Sequence, residues 1–339
     1  MKIEKETVFG NWEEYTLTND QNMSVSVLNY GAIITKILVP DRNGKLENIV
    51  LSFKDYQDYK TNPNYFGAII GRVAGRIQDA SFDIAGTTFS LEANDGNHHL
   101  HGGSAGLHQI IWKVSPFETK DCIGLTLTHQ SRDGDGGYPG NVDITVTYTL
   151  TNDNQLQLDY TAVTDKSTPI ALTNHTYFNL CGNLRDTVQH HFLTMNSNSF
   201  VELDEELIPT GKIIDVEDSR FDFRNSRVLG ESFTKELNGY DHYFIFDDTH
   251  SGEQVTLTEP TSGRVLKVYS NQPGMVLYTA NDLNENIQLR EAAGKKHLGV
   301  CFETQGSPAS LHHAGFPSII LHPDETYRQH TLFEFLIHE

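Results

Sequence analysis

Apolar and polar residues alternate with a period of two along most of the chain. The clearest run lies in residues 142–162, where the even positions from 142 to 150 and again from 156 to 162 carry aliphatic or tyrosine side chains. Because successive side chains of a strand point to opposite faces, this alternation predicts two half-buried β-strands. The polar segment TNDN at residues 151–154 predicts the turn of a hairpin between them.

Similar short runs, bounded by turn residues, predict further strands in eight segments: residues 23–40, 82–91, 123–128, 254–259, 265–270, 276–280, 299–305 and 327–336. Helical periodicity is confined to one-turn pieces near residues 55–60 and 230–237. No linker, charge block or internal repeat marks a domain boundary. The pattern therefore predicts an all-β fold, with one large antiparallel domain built as a sandwich or a barrel.

Composition and charge narrow the range of partners. The 339 residues include 25 Lys and Arg against 45 Asp and Glu, which gives a formal net charge of −20. Such a surface repels polyphosphates and anionic membranes, so we expect neither nucleic acid nor a membrane as a partner. The three cysteines are far apart, and the chain shows no secretory signal and no long apolar run. We therefore expect a cytoplasmic protein without disulfides.

Three familiar motifs are matched only in part. Residues 102–106 read GGSAG and fit the G-x-S-x-G nucleophile elbow, but the strand-to-helix turn that this motif needs is not predicted. The glycines around Arg72 and Arg76 follow no βαβ unit and do not form a dinucleotide-binding G-x-G-x-x-G. The three histidines within residues 98–101 lack the spacing of a zinc site, although one of them could bind a polar ligand. We expect no cofactor and no metal.

Three segments place chemically active side chains among apolar and aromatic residues. In NHTYFNL, alternation sets His175, Tyr177 and Asn179 on one face of an expected strand. Asp241 stands in the aromatic segment GYDHYF, and Glu303 stands in VCFETQ on the same expected face as Cys301 and Gln305. Carboxylates in such surroundings are rare unless they are paired or functional, so both are candidate site residues.

Together these segments resemble the aldose 1-epimerase (galactose mutarotase) family over nearly the whole chain. Five motifs occur in the family's order: GRVAGRI, LHGG, NHTYFNL, GYDHYF and FETQ. The resemblance implies a single-domain antiparallel β-sandwich over residues 1–339. It also implies an isomerase of hexose metabolism that interconverts the α and β anomers of free aldohexoses, galactose and also glucose, without a cofactor.

The resemblance further implies roles for individual residues, with His175 as the general acid and Glu303 as the general base. It implies a substrate-binding set of Gly75, Arg76, His101, Tyr177 and Asp241. Some relatives carry Asn at position 75 and Gln at position 276, so this chain lacks the polar contacts of those side chains. The reference pKa values are about 4.3 for glutamate and about 6.5 for histidine. We therefore expect Glu303 as a carboxylate and His175 as an imidazolium near neutral pH, and a bell-shaped dependence of the rate on pH.

Three alternatives stay open beside this interpretation. A glycoside hydrolase would use Asp241 and Glu303 as its two carboxylates. An epimerase of phosphorylated hexoses would share the fold, although the net charge of −20 disfavours an anionic substrate. A non-catalytic sugar-binding module would keep the cleft, but it has no use for a matched acid and base such as His175 and Glu303.

Overall fold

A computed structural model describes residues 1–235, 237–247 and 252–338, and within these ranges the chain is built almost entirely of strands. In chain order the strands are β1 (Lys2–Phe9), β2 (Trp12–Thr18), β3 (Ser24–Leu28), β4 (Ile34–Pro40), β5 (Leu46–Asn48), β6 (Ile69–Ile70), β7 (Arg76–Ile77), β8 (Ser81–Ile84), β9 (Thr87–Ser90), β10 (His99–Leu100), β11 (Lys113–Glu118), β12 (Cys122–Ser131), β13 (Val142–Thr151), β14 (Gln155–Thr164), β15 (Thr168–Pro169), β16 (Thr173–Asn174), β17 (Tyr177–Phe178), β18 (Phe192–Met195), β19 (Ser199–Leu203), β20 (Pro209–Asp215), β21 (Arg227–Val228), β22 (Asp241–Ile245), β23 (Val255–Thr258), β24 (Arg264–Ser270), β25 (Gly274–Tyr278), β26 (Val300–Thr304), β27 (Ile320–Leu321) and β28 (Tyr327–Ile337).

Helical residues in the described ranges occur only as short 3₁₀ turns. These turns are Tyr56–Lys60, Gln78–Ala80, Gly103–Ala105, Leu107–Gln109, Asp135–Gly137, Val188–His190, Leu229–Ser232 and Pro308–Leu311. The two helical pieces expected from the sequence correspond to the first and the seventh of them. Among the described residues, no helix is long and apolar enough to cross a membrane.

The predicted strands are confirmed, and those that the sequence did not predict are mostly edge strands. The central hairpin pairs β13 with β14, and Leu150 stands opposite Leu156 at the turn. By contrast, β1, β11 and β20 each lie at the edge of a sheet and have few buried side chains. A strand without a buried face has no reason to alternate apolar with polar residues, so its sequence carries little signal.

Three large antiparallel sheets form the body of the molecule within the described ranges. Their strand orders are β1-β2-β3-β4-β5, β11-β12-β13-β14-β28-β24-β23-β18-β21 and β17-β26-β25-β22-β19-β20. The last strand, β28, pairs with both β14 and β24 and so lies in the middle of the nine-stranded sheet.

The nine-stranded and six-stranded sheets pack face to face through aromatic side chains. Phe178 of β17 contacts Phe333 and Phe335 of β28, with ring centroids 5.2 and 6.5 Å apart. The hydroxyl of Tyr148, in β13, donates to the carbonyl of Ala32 and joins the nine-stranded sheet to the loop between β3 and β4. Such contacts between inner faces are the core of a β-sandwich, so the predicted fold class is confirmed.

The six-stranded sheet brings distant motifs side by side. Tyr177 pairs with Cys301 across β17 and β26, and Glu303 pairs with Val276 across β26 and β25. Asp241 begins β22, which pairs with the other edge of β25. Segments more than 100 residues apart in sequence therefore meet on four neighbouring strands.

Candidate active site

A cavity of about 230 Å³ opens beside these four strands. Its lining includes every residue that the sequence predicts for the site: Gly75, Arg76, His101, His175, Tyr177, Asp241 and Glu303. Val276 also lines it. The geometry thus places the predicted acid, base and binding residues around one space.

Alternation along β26 aims Glu303 at this cavity. Val300 and Phe302 pack in the core between the sheets, whereas Cys301 and Glu303 point to the other side. Glu303 is 2% exposed. Alternation along the strand forces this carboxyl into the buried position. A carboxyl buried to this extent is costly unless it is paired or functional.

His175 stands between two short strands and not within a continuous one. The expected strand NHTYFNL is broken into β16 and β17, and the backbone N–H of His175 donates to the carbonyl of Ala68 at 2.9 Å. Asn179, which was expected on the same face as His175 and Tyr177, does not line the cavity. Its side-chain amide donates to the carbonyls of Asp186 and Leu298, because a buried loop needs its carbonyl groups satisfied.

The predicted acid and base lie close together. His175 Nε2 is 3.4 Å from Glu303 Oε1, and both side chains are buried. Burial raises the pKa of Glu303 well above its ordinary value, reinforced by Asp241 and opposed by Arg76. Burial also lowers the pKa of His175 to about 3, although the residue's own backbone carbonyl favours the protonated ring.

These shifts oppose the protonation states expected from the sequence. Burial moves both pKa values toward the uncharged forms, a carboxylic acid on Glu303 and a neutral imidazole on His175, and away from a carboxylate beside an imidazolium. The reason is that a poorly hydrated site penalises both charges. When the two groups share one transferable proton, burial favours its position on Glu303.

His101 is held in one tautomer by Gly75. The backbone N–H of Gly75 donates to His101 Nδ1 at 3.1 Å, and the backbone N–H of His101 donates back to the Gly75 carbonyl at 3.2 Å. Burial lowers the pKa of His101 well below its ordinary value, so the ring is neutral. With Nδ1 accepting a hydrogen bond, the single ring proton must lie on Nε2, which is then a hydrogen-bond donor.

The same hydrogen bond decides whether the site suits a metal ion. One ligand atom each from His101, His175 and Glu303 lies within 4.8 Å of the others, and two imidazoles with a carboxylate are a common donor set for transition metals. However, the lone pair of His101 Nδ1 accepts from Gly75, and its Nε2 carries the proton. Neither nitrogen offers a free lone pair, so the residues do not fit a metal in this arrangement. The absence of a metal site stays a prediction.

Arg76 is fixed between two carboxylates. Its Nε donates to Asp95 Oδ2 at 2.6 Å, and its Nη1 lies 3.8 Å from Asp241 Oδ2. Burial raises the pKa of Asp241 to about 6, and Arg76 opposes this increase. Asp241 is therefore mainly ionised at neutral pH and can accept hydrogen bonds from two hydroxyls.

Arg72, the other arginine of the glycine-rich segment, has a structural role. It is 3% exposed and donates to the carbonyls of Arg132, Pro139 and Gly140. Ser104 of the GGSAG segment is exposed in a 3₁₀ turn, which agrees with the rejection of a nucleophile elbow. His98 and His99 are bound by backbone groups, and of the three clustered histidines His101 alone lines this cavity.

Sequence reasoning missed Tyr65 as a wall of the cavity. Its ring packs against the rings of both His101 and His175, with centroid distances of 4.7 and 5.8 Å. The backbone of Tyr65 has φ +56°, which is strained for an aromatic residue and marks a functional segment. The only hint in the sequence is the turn-forming NPN before it.

The backbone conformation at position 75 and the closeness of Pro308 both favour glycine there. Its φ is +83°, in the left-handed region, and a Cβ at this position would lie 3.1 Å from the Pro308 ring. A side chain at position 75 would therefore require Pro308 to shift. The backbone N–H of Gly75 orients His101.

Comparison with known proteins gives consistent matches over the whole length. The family model described as aldose 1-epimerase matches residues 13–334. A galactose mutarotase from Bos taurus is 36% identical over 331 residues, covering 97% of this chain and 95% of its own. A solved aldose epimerase homologue from C. elegans aligns with a TM-score of 0.89 at 30% identity, covering 96% of this chain and 98% of its own. A solved galactose 1-epimerase from Lactobacillus acidophilus aligns with a TM-score of 0.86 at 31% identity, covering 100% and 99%.

Proposed function

The chain belongs to the aldose 1-epimerase family, and we propose that His175 and Glu303 are the acid and base with which it interconverts the anomers of free aldoses. The chain is accordingly an isomerase. The observation that supports this residue assignment is the 3.4 Å approach of His175 Nε2 to Glu303 Oε1 in the wall of the cavity. Such a pair can pass a proton to and from one substrate without a cofactor.

The reaction requires two proton transfers that depend on each other. To open the hemiacetal, Glu303 as carboxylate takes the proton of the C1 hydroxyl, while His175 as imidazolium gives a proton to the ring oxygen. The bond between C1 and the ring oxygen breaks, and a carbonyl forms at C1. After rotation about C1–C2, His175 takes the proton back from the hydroxyl, and Glu303 returns its proton to O1 on the other face.

The protonation state that burial favours is one stage of this cycle. Glu303 as acid beside neutral His175 is the state in which the open-chain sugar would be bound. The cyclic sugar needs the other arrangement, which arises when the proton moves from Glu303 to His175 Nε2. Because the pair holds one transferable proton in both states, the same site serves opening and closure.

We propose that Arg76, His101 and Asp241 hold the sugar hydroxyls and ring oxygen, and that Tyr177 and Gly75 complete the site. His101 is a donor through Nε2, and Asp241 is an acceptor. Holding C1 and the ring oxygen between the acid and the base removes much of the entropic barrier. We expect galactose and glucose as substrates.

The charges around the cavity weigh against the alternatives. Among the described residues that line it, Arg76 is the single Lys or Arg, and its Nε already pairs with Asp95. A phosphorylated hexose would thus meet little free positive charge. In a hydrolase two carboxyl groups act on the bond, whereas here the carboxyl of Glu303 approaches the His175 ring at 3.4 Å.

Polarimetry tests the proposed function directly. Freshly dissolved α-D-galactose, and then α-D-glucose, should reach their equilibrium rotations much faster with the protein than without it. An unchanged rate with both sugars would contradict the proposal. Release of phenol from an aryl galactoside would instead indicate the hydrolase.

We also propose that the chain forms one domain. One hydrophobic cluster contains side chains from Tyr15 to Phe335, which supports this proposal. The cytoplasmic location and the absence of nucleic-acid or membrane partners stay predictions.

Replacing Asp241 with asparagine should raise KM and narrow the preference between galactose and glucose. Asparagine keeps the size of the side chain but removes one acceptor and the charge, at a cost of about 1–3 kcal/mol, or roughly 5- to 160-fold in KM. His101→Asn and Arg76→Lys serve as comparison variants and should weaken both sugars alike. If Asp241→Asn leaves KM and the galactose-to-glucose ratio of kcat/KM unchanged, then another residue distinguishes the sugars.

The pH dependence of kcat should be bell-shaped, with both limbs belonging to the acid–base pair. On the acid side the pair takes up a second proton, and because burial lowers the pKa of His175 to about 3, this limb should have its midpoint below about pH 4. On the alkaline side kcat falls when the pair loses its last proton, which burial holds on Glu303. Polarimetry at saturating sugar, corrected for the spontaneous rate, measures both limbs. An acid limb centred at or above pH 5 would contradict the assignment.

A further inference from the structure

The His175 ring has a second neighbour that the reaction as derived so far does not use. Its Nδ1 lies 3.5 Å from Cys301 Sγ, on the opposite side of the ring from Glu303. Cys301 and Glu303 are two residues apart on β26, so their side chains point to the same side of the sheet. One strand therefore contacts both nitrogens of the imidazole.

The Cys301 side chain is a neutral thiol. It is 0% exposed, and burial raises the pKa of the thiol well above its ordinary value, reinforced by Glu303 and Asp241. The sulfur of a thiol is a weak hydrogen-bond acceptor, and an N···S separation of 3.5 Å suits its large radius. The thiol thus offers Nδ1 a partner that carries no charge.

We propose that Cys301 is a positioning residue whose sulfur accepts the Nδ1 hydrogen of His175 and keeps the lone pair of Nε2 facing Glu303 and the sugar. The inference rests on the proposed role of His175 as the acid. A neutral imidazole can take a proton on Nε2 only if its own hydrogen is on Nδ1. The tautomer therefore decides whether His175 can accept the proton of the sugar hydroxyl when the ring closes.

A neutral sulfur also suits the strength of acid that the reaction needs. A carboxylate at Nδ1 would stabilise the imidazolium by its charge and make it a weaker acid. The sulfur orients the ring without that charge, so the imidazolium remains a strong donor toward the ring oxygen.

The structural alternative is that Cys301 only fills space beside Tyr177 and Tyr278, with which its backbone pairs. A matched control is available on the same strand. Val300 is equally buried but packs in the core on the opposite face. Val300→Ala makes a cavity in the same strand without touching the histidine.

Kinetics of the alanine variants separate the two roles. Cys301→Ala should lower kcat roughly 3- to 10-fold, the effect of losing one neutral hydrogen bond, with little change in KM. Val300→Ala should lower Tm more and leave kcat near the wild-type value. Cys301→Ser, which restores an acceptor, should recover kcat to within about 2-fold of wild type. Equal kcat in wild type, Cys301→Ala and Val300→Ala would overturn the proposal.

The tautomer itself is read by ¹⁵N NMR of protein labelled at histidine. The His175 signals are assigned by their loss in His175→Asn. In the wild type Nδ1 should carry the hydrogen, and in Cys301→Ala the signals should shift toward a mixture of tautomers. The same tautomer in both proteins would overturn the proposal even if kcat falls. Full activity of His175→Asn would instead overturn the proposed function, and this outcome is distinct from the NMR result.

Discussion

Replacing Glu303 with glutamine is expected to lower kcat for α-D-galactose by roughly 10²- to 10⁴-fold, the contribution of a well-placed general acid–base group. Glutamine reproduces the shape of the protonated carboxyl but can neither take the proton of the C1 hydroxyl nor return it. The hydrogen-bonding positions in the cavity are kept, so KM should change much less than kcat. Initial rates of optical rotation over a range of sugar concentrations give both constants.

The fold of the Glu303→Gln variant should be intact. Burial raises the pKa of this carboxyl, so its ionisation opposes folding as pH rises through that pKa, and a neutral amide removes this cost. Tm at neutral pH should therefore be no lower than that of the wild type. Glu92→Gln is the matched control, because Glu92 binds the backbone N–H of Ser104 and lies outside the cavity lining. More than a tenth of the wild-type kcat in Glu303→Gln would rule out Glu303 as the base.

Replacing His175 with asparagine should lower kcat by a comparable factor, roughly 10²-fold or more. Without the imidazole the proposed proton donor to the ring oxygen is lost, so the ring oxygen must leave as an alkoxide, which is a poor leaving group. Asparagine preserves a polar side chain of smaller size, so the change should appear in kcat more than in KM. Polarimetry at saturating α-D-galactose measures the loss.

A distant histidine controls for the general effect of this substitution. His129 packs against Trp112 on the nine-stranded sheet and does not line the cavity. His129→Asn should keep the wild-type kcat. Near-normal kcat in His175→Asn, in protein that is folded by circular dichroism, would mean that another group is the acid.

The strands could be predicted where one face of the strand is buried, because burial then makes apolar and polar residues alternate. β13 and β14 each bury one face, so their residues alternate and their turn is polar. The edge strand β1 buries little and escaped prediction. The NHTYFNL segment was expected to form one strand, but it is broken into β16 and β17, and the amide of Asn179 satisfies backbone carbonyls.

The site residues could be predicted because local motifs carry them, but their chemical state could not. Whether His175 is charged depends on how deeply strands from elsewhere bury it, and sequence spacing does not give that burial. The tautomer of His101 depends on the backbone of Gly75, 26 residues away. The contact of Cys301 with His175 spans 126 residues. Such contacts arise only once the sheets have packed.

The most direct test of the acid–base pair is the rate of optical rotation change of fresh α-D-galactose with the double variant His175→Asn/Glu303→Gln. The protein concentration is set so that each single variant is still measurable above the spontaneous rate. Because the two groups pass one proton between them, removing the second group should cost little more than removing the first, and we predict that the double variant matches the slower single variant. If the losses of the two single variants multiply, so that the double variant is no faster than the spontaneous reaction, then His175 and Glu303 act independently. That result would contradict the proposal that they act as an acid–base pair.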